Sequence, residues 1–537
     1  MRLPPKPAHI QEHLLHRILE HKNLSQVLRS SALISALTLV SRILGFVRDL
    51  VLARVFGADW QTDVFFVAFK IPNFLRRLFG EGAFNQAFVP ALSNFDPNAG
   101  REPLKSFIDR IAGTLAVMLF AITATGVIAA PLLIWLFAPG FAWNGNHYDL
   151  SVEMLRITFP YLFFVVLTAF AGSILNTCGQ FALPALTPVV LNLCLIAGAI
   201  CFAPCFDQPV LALAWAVFVA GTLQLLIQFP ALRALGLFPR PRPVFSDPEV
   251  RRTLASLAPA TFGVSVTQIN LLLDTLIATF LVSGSVSWLY YSDRLVEFPT
   301  ALFGLALATA ILPTLSKNHL LKDTAAFSDA LDFALKWVVL IGLPATLGLV
   351  FLAEGILASL FQYNEFSQRD LIMTTKSMSG YSIGLLPFML IKVLVPGFSS
   401  RHDFSTPLRY GLYSVGVNLI LSIGLALVFA HAGLAFATSL AAVFNASLLL
   451  RRLLIDRIYQ PRSGWLVFAL RILAANVSLC VLLVYANSVT DWPNWGAGQR
   501  FFNLALWILL GCGVYFATLF LCGLRRSDLT MRHSINH

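Results

Sequence analysis

Charged side chains stand inside apolar runs at three places in this chain. One run carries Ser41, Arg42, Arg48, Asp49 and Arg54. A second carries Asp63, Lys70, Asn73, Arg76, Arg77 and Glu81, and a later one Ser287, Asp293, Arg294 and Glu297. A charge at mid-bilayer costs about 2.5–3.5 kcal/mol even on lenient insertion scales, so four unpaired arginines cost on the order of 10–14 kcal/mol. Such groups are kept where they face water, pair with one another or do work. Arg42, Arg48, Arg76 and Arg294 come as a surplus from three runs rather than as balanced pairs. A guanidinium is a planar fork suited to phosphate oxygens. The chemistry they point to is the binding of an anion, a phosphate or pyrophosphate, in a hydrated cavity. For Arg54, Arg77 and Glu81, salt bridges between helices or snorkelling to the interface is the competing reading.

Spacing adds detail. Arg42 and Asp49 lie seven apart, on nearly one helical face, with Gly45 between them to admit a neighbour. Arg294 and Glu297 have the i, i+3 spacing of an ion pair along one helix. Pro72 predicts a kink beside Asn73 and Arg76. A second kind of chemistry is suggested by Asp274, a lone carboxylate seven residues after Thr267, and by Asn418 in another run. Carboxylate and amide oxygens suit a hard cation such as Na⁺, and a lone Asp also suits proton exchange. Pairing of Asp274 with a nearby basic group is the other reading. Among Lys336, Lys376, Lys392 and Arg471, Lys392 is the best additional candidate for the anion cavity.

These residues need apolar elements to carry them. Of 537 residues, 57% are apolar and 12% charged, and the mean hydropathy is +0.75. Soluble domains carry roughly 25% charged residues, so a soluble enzyme is excluded, as is a disordered chain. Strands of a transmembrane barrel alternate in segments of about ten residues, unlike these long apolar runs. The reading is an all-α polytopic membrane protein with 14 apolar spans. Lys and Arg collect after even-numbered spans, for example at Arg101 and Lys105, Arg240 and Arg242, Lys317 and Lys322, and Arg451 and Arg452. That alternation supports 14 spans with both termini cytoplasmic, and it accounts for most of the net charge of +11 without nucleic acid as a partner. Residues 1–29 lack the order of a secretory signal and read as a cytoplasmic tail, either an interfacial helix or a solvated segment. The seven cysteines show no paired metal spacing.

A faint repeat relates the halves. Asp49 lies 41 residues before Pro90 in Val89-Pro90-Ala91-Leu92-Ser93, and Asp274 lies 39 before Pro313 in Leu312-Pro313-Thr314-Leu315-Ser316. Spans 1–6 and 7–12 read as two copies in one orientation, an arrangement many transporters use. No Walker A, HExxH or GxSxG motif and no aspartate cluster for metal–pyrophosphate chemistry is present. The expectation is a transporter rather than an enzyme, driven by a gradient or potential.

Three blocks carry a resemblance: Ser41-Arg42-Ile43-Leu44-Gly45-Phe46-Val47-Arg48-Asp49, Thr62 to Asn73, and Leu75-Arg76-Arg77-Leu78-Phe79-Gly80-Glu81-Gly82-Ala83-Phe84. With Ala138-Pro139-Gly140-Phe141, Thr158-Phe159-Pro160-Tyr161, Tyr290 to Pro299 and Pro396-Gly397-Phe398, the chain resembles the MurJ (MviN) family of bacterial lipid II flippases over about residues 25–525. The resemblance implies the multidrug/oligosaccharidyl-lipid/polysaccharide (MOP) exporter fold: two six-helix lobes (spans 1–6, residues 30–236, and spans 7–12, residues 237–456) around a central cavity. Spans 13 and 14, residues 457–525, would form a groove for the lipid tail, ahead of a cytoplasmic tail at 526–537.

It also implies that Arg42, Arg48, Arg76 and Arg294 bind the pyrophosphate of undecaprenyl-linked disaccharide-pentapeptide. Asp63 would be the functional acid of the first lobe, and Asn73, Ser287, Asp293 and Glu297 further cavity positions. The family's sodium site would fall on Asp274 and Asn418, but Ser422 stands where a second acid belongs. No cofactor is implied; Na⁺ or H⁺ coupling and dependence on membrane potential are the candidate energy sources. Lipid II and membrane lipids are the implied partners, a monomer in the bacterial cytoplasmic (inner) membrane the implied state. An O-antigen or other polysaccharide-precursor flippase, or a multidrug exporter of the same superfamily, is the alternative.

Overall fold

The computed structural model describes residues 8–80, 88, 90–92, 102–256 and 269–525. Glu81, Thr267 and the tail at 526–537 lie outside the described residues. Among the described residues every regular element is helical. Among the described residues, ten helices are long and apolar enough to cross a bilayer. The first two helices are α1 (Ala8–Phe56) and α2 (Trp60–Gly80), and in α2 Asp63, Lys70, Arg76 and Arg77 interrupt the apolar run.

In chain order the other helices of the first half are α3 (Glu102–Ile128), α4 (Ala130–Phe137), α5 (Gly145–Thr158), α6 (Tyr161–Thr177), α7 (Ala182–Ala197), α8 (Leu211–Leu226), α9 (Phe229–Ala234) and α10 (Pro248–Ala255). The second half holds α11 (Ile269–Ala278), α12 (Ser285–Pro299), α13 (Leu305–Leu320), α14 (Thr324–Phe351), α15 (Ala353–Leu360) and α16 (Gln368–Ile383). It continues with α17 (Leu385–Ser399), α18 (Ser405–Ile455), α19 (Trp465–Val489) and α20 (Ala497–Leu521).

Several of the long apolar runs are broken helices, each with a local cause. Pro299 ends α12, and a π turn over Thr300–Gly304 leads into α13. Gly384 separates α16 from α17 at a point where a Cβ would meet Ser439 Oγ at 2.5 Å. Helix α18 is a hairpin of two arms turned at Ala430 (φ 50°, ψ −132°). The arms return side by side, with Ser414 Oγ donating to the Ala441 carbonyl at 2.8 Å. A Cβ on Gly433 would come within 2.2 Å of the Leu425 carbonyl oxygen, so only glycine fits that corner.

The chain forms two compact units, and they do not follow chain order. The first is Met1–Asp49, Pro72–Ile128 and Arg156–Thr261; the second is Leu50–Ile71, Ala129–Leu155 and Phe262–His537. Helix α1 passes from one unit to the other after Asp49, and α2 passes back at Pro72, the expected kink.

In the first unit α6 packs on α3, α7 and α8. Gly126 lies under the Phe159 ring and Gly221 against Tyr161, small residues that let helices approach closely. The segment after α9 is strapped along α3. Arg242 N donates to the Asp109 carbonyl at 3.0 Å, Arg240 N to Asp109 Oδ1 at 2.7 Å and Val244 N to Thr114 Oγ1 at 3.0 Å. Gly113 allows this, since a Cβ there would strike the Arg242 backbone.

In the second unit α19 and α20 pack together and against α14 and α15. Two buried polar groups fasten them. Asp332 on α14 accepts from Tyr459 Oη at 2.9 Å and Trp465 Nε1 at 2.6 Å, and Lys336 pairs with it at 2.9 Å. Arg500 donates to the carbonyls of Ala358 and Pro493 at 2.9 and 2.7 Å, occupying the end of α15. Outward, Leu466, Val481, Phe502 and Phe520 stand exposed, as lipid-facing side chains do.

Candidate functional site

The first unit holds three of the four arginines. Arg48 is buried, and its neighbour Asp49 more so. Arg48 Nε and Nη2 donate to Asp49 Oδ1 at 2.9 and 2.7 Å, while Nη1 donates to Asn192 Oδ1 at 3.1 Å. Asn192 reaches from α7 and also donates through Nδ2 to the Ser41 carbonyl at 3.1 Å. It comes in beside Gly45, where a Cβ would stand 3.5 Å from its amide, an ordinary contact. Arg42, six residues earlier on the same helix, is exposed. Arg76, half-buried just past Pro72, donates from Nε to Asn73 Oδ1 at 2.9 Å. Asn192 was not singled out in the sequence, where a single amide inside an apolar run carries little signal.

The second unit holds Asp63, Ser287, Asp293, Arg294 and Glu297. Asp63 is 2% exposed and accepts three hydrogen bonds: from Gly284 N at 2.7 Å, Ser287 N at 2.8 Å and Ser287 Oγ at 2.6 Å. These are the free donors at the start of α12, so Asp63 caps that helix from another part of the chain, and its charge suits the positive end of the helix dipole. Asp63 and Ser287 were expected to line a substrate cavity; here they are bonded to each other. Arg294 pairs with Glu297 at 2.9 Å, as the i, i+3 spacing suggested, and lies 5.2 Å from the Tyr290 ring centre. Asp293 is half-buried and Glu297 exposed. Arg48 and Arg294 thus each have a carboxylate beside them.

Further contacts fasten segments 50–71 and 129–155 to the later half of the chain within this unit. Arg54 sits 4.3 Å over the Tyr363 ring, and Phe66 stacks on Tyr290 at 3.9 Å. Gly140 N donates to Thr279 Oγ1 at 3.2 Å. Gly57, at φ 66°, leaves room for the Glu365 carbonyl, which a Cβ would meet at 2.5 Å.

Asp274 on α11 lies in a polar pocket of the same unit. Its carboxylate accepts from Asn418 Nδ2 at 2.8 Å, Thr438 Oγ1 at 3.1 Å and Ser422 Oγ at 3.4 Å. Asn418 Nδ2 also donates to Asn270 Oδ1 at 2.9 Å, and Asn418 Oδ1 is buried with no hydrogen-bond partner. Lys70 Nζ, from α2, donates a short hydrogen bond to Thr275 Oγ1, on the residue after Asp274. Among the described residues no group of three or more His, Cys, Asp and Glu is placed to hold a metal ion.

The described fold and its charged helices define a multi-pass membrane protein of the transporter type. A solved structure titled as an inward-facing multidrug resistance MATE family transporter of the MOP superfamily shares this fold, with a TM-score of 0.64 at 14% identity, covering 80% of this chain and 98% of that one. A structure of "Lipid II flippase MurJ, inward closed conformation" superposes with a TM-score of 0.76 at 26% identity, covering 91% of this chain and 98% of that one.

The family model described as "Lipid II flippase MurJ" matches residues 52–522. A Vibrio cholerae protein described as "Probable lipid II flippase MurJ" is 43% identical over 94% of this chain and 98% of its own. A Burkholderia cenocepacia "Lipid II flippase MurJ" is 39% identical over 93% and 98%. The chain belongs to the MurJ family.

Proposed function

We propose that this chain is a lipid II flippase of the bacterial inner membrane. It would carry the undecaprenyl-pyrophosphate-linked disaccharide-pentapeptide from the cytoplasmic to the periplasmic leaflet without breaking a covalent bond. The observation that carries the reading is the 43% identity to a probable lipid II flippase across nearly the whole of both chains. A polysaccharide-precursor flippase or multidrug exporter is not favoured: the likeness to the MATE transporter, at 14% identity, concerns the fold alone.

The arginines supply the binding chemistry. Arg42 is exposed, and Arg48 is held in one orientation by Asp49 and Asn192. A guanidinium held in place loses less freedom on meeting a diphosphate than a mobile one. Arg76 and Arg294 extend the same chemistry. Alternating access would act through segments 50–71 and 129–155, which Asp63, Arg54 and Gly140 fasten to the later half: breaking those contacts would release them at the end expected to be periplasmic, with both termini cytoplasmic.

The protein acts as a monomer, with its coupling in Na⁺, H⁺ or the membrane potential. Moving one charge across 100 mV is worth about 2.3 kcal/mol, and an inside-negative potential drives an anionic headgroup outward.

The test is complementation of a flippase-depleted bacterium, with Arg42→Ala, Arg48→Ala, Arg76→Ala and Arg294→Ala beside the wild type. Rescue by wild type and loss with Arg48→Ala are expected. A chain that inserts in the membrane at normal levels and does not rescue growth would overturn the assignment. In proteoliposomes, flipping at an unchanged rate after an ionophore collapses the potential would remove the potential from the mechanism.

A further inference from the structure

Helix α20 turns one narrow stripe toward the protein. Its buried residues after Arg500 are Trp507, Gly511, Tyr515 and Leu519, four apart, while Leu509, Phe516 and Phe520 stand exposed. Gly511 lets α19 come close, since a Cβ there would stand 3.1 Å from Leu479 Cδ1. Four residues further on, Tyr515 Oη donates to the Leu340 carbonyl of α14 at 2.8 Å, with both residues buried. That carbonyl lacks its usual donor. Four residues ahead of Leu340 in α14 stands Pro344, which has no N–H to give it. In hydrocarbon no water can take the place of the missing donor. A buried phenol, for its part, needs an acceptor for its proton. The two needs are met by each other, across two helices.

We propose that Tyr515 is a positioning residue: its hydroxyl takes the place of the absent Pro344 N–H and docks α20 on the proline break of α14 in one register. In chain order along α14 and α15, Leu340 lies between two other fastenings. Before it, Asp332 of α14 accepts from Tyr459 and from Trp465 at the start of α19. After it, the Ala358 carbonyl of α15 accepts from Arg500 of α20. Held at three levels, α19 and α20 move with α14 as one body. The inference goes beyond the flippase reading and holds whatever the cargo, because it is read in stability and in distances within the second unit.

The experiment is a double-mutant cycle on the purified full-length protein, read as melting temperature. Tyr515→Phe keeps the ring and removes the donor, and is expected to melt about 2 °C below wild type. Pro344→Ala gives the Leu340 carbonyl a helical N–H, so adding Tyr515→Phe to it is expected to change the melting temperature by less than about 0.5 °C. Equal losses in the two backgrounds overturn the proposal, and so does a Tyr515→Phe protein that melts with wild type. A second measurement follows distance. Spin labels are placed on Ala325→Cys, at the exposed start of α14, and on Cys522, exposed just past α20, with the other cysteines replaced. The pair is expected to give one narrow distance distribution with Tyr515 intact and a broader one in Tyr515→Phe. Where Pro344→Ala cannot be recovered from membranes, the labels decide: a broad distribution with Tyr515 intact, or one that Tyr515→Phe leaves unchanged, overturns the proposal.

Discussion

Asp49 and Asp274 stand at corresponding places in the two halves, about 40 residues ahead of matching Pro-containing motifs, and both are buried. They are held in different ways. Asp49 takes its cation from the adjacent residue, Arg48, on the same helix. Asp274 accepts from neutral groups that α18 brings from far along the chain, Asn418, Ser422 and Thr438. A pair within one helix survives any rigid movement of that helix, whereas a pair between two helices holds only while they stay together. The first half therefore has a local pair that moves as one body with its helix. The second half has contacts between helices, from α11 to both arms of α18. Asp63 is a third case, between helices like Asp274 but balanced by backbone donors and the positive end of α12.

The sharpest way to break this comparison is Arg48→Ala. It takes both Arg48 hydrogen bonds from the buried Asp49 carboxylate, and breaking a buried pair by removing one partner costs about 3–5 kcal/mol. The midpoint of thermal unfolding should fall accordingly, and Arg48→Ala/Asp49→Asn should regain most of the stability while complementation stays lost. A single variant as stable as wild type would mean that the pair is not structural. Next comes Asp63→Ala, which orphans the Gly284 and Ser287 donors at the start of α12 and should cost about 2–3 kcal/mol. Asp63→Asn, which can still accept from them, should fall between the alanine variant and wild type. If the two variants melt together, the cap contributes nothing and Asp63 serves elsewhere.

Asn192→Ala sharpens the local side of the comparison. Arg48 keeps Asp49 but loses the bond that fixes its other nitrogen, and the Ser41 carbonyl loses a donor. A cost of about 1–2 kcal/mol is expected. Affinity for a pyrophosphate lipid should drop while Arg48 itself is intact, and binding unchanged from wild type would remove Asn192 from the positioning of Arg48.

What was legible in the sequence divides along the same line as the two acids. Local relations were readable: the Arg294–Glu297 spacing, the break at Pro72 and the helix interruption near Ala430, where one apolar run gives way to the next. Surplus arginine in apolar runs also pointed to an anionic ligand. Relations between distant helices were not readable. Nothing near Asp63 announces that its partners are Gly284 and Ser287, and Lys70 was one charge among several in its run until α2 and α11 were placed side by side. The interleaving of the compact units was hidden for the same reason, since chain order is all that a repeat reports. The family blocks assigned Asp63 and Ser287 to a cavity, whereas this conformation has them bonded to each other at the start of α12.

The smallest effect is expected at Arg294, and it separates stability from function most cleanly. Its ion pair with Glu297 is partly exposed, with side chains 31% and 54% accessible. Such pairs contribute about 0–1 kcal/mol, so Arg294→Ala should unfold within a degree or two of wild type. If the guanidinium binds the anionic headgroup, transport must nevertheless fall, and Arg294→Lys should recover only part of it, because an ammonium cannot offer the two parallel donors of the fork. Glu297→Gln supplies the control: it removes the partner and keeps the arginine. Transport that survives Glu297→Gln but not Arg294→Ala assigns the role to the guanidinium rather than to the pair, whereas equal loss in both variants would make Arg294 a structural residue and leave the ligand to the arginines of the first unit.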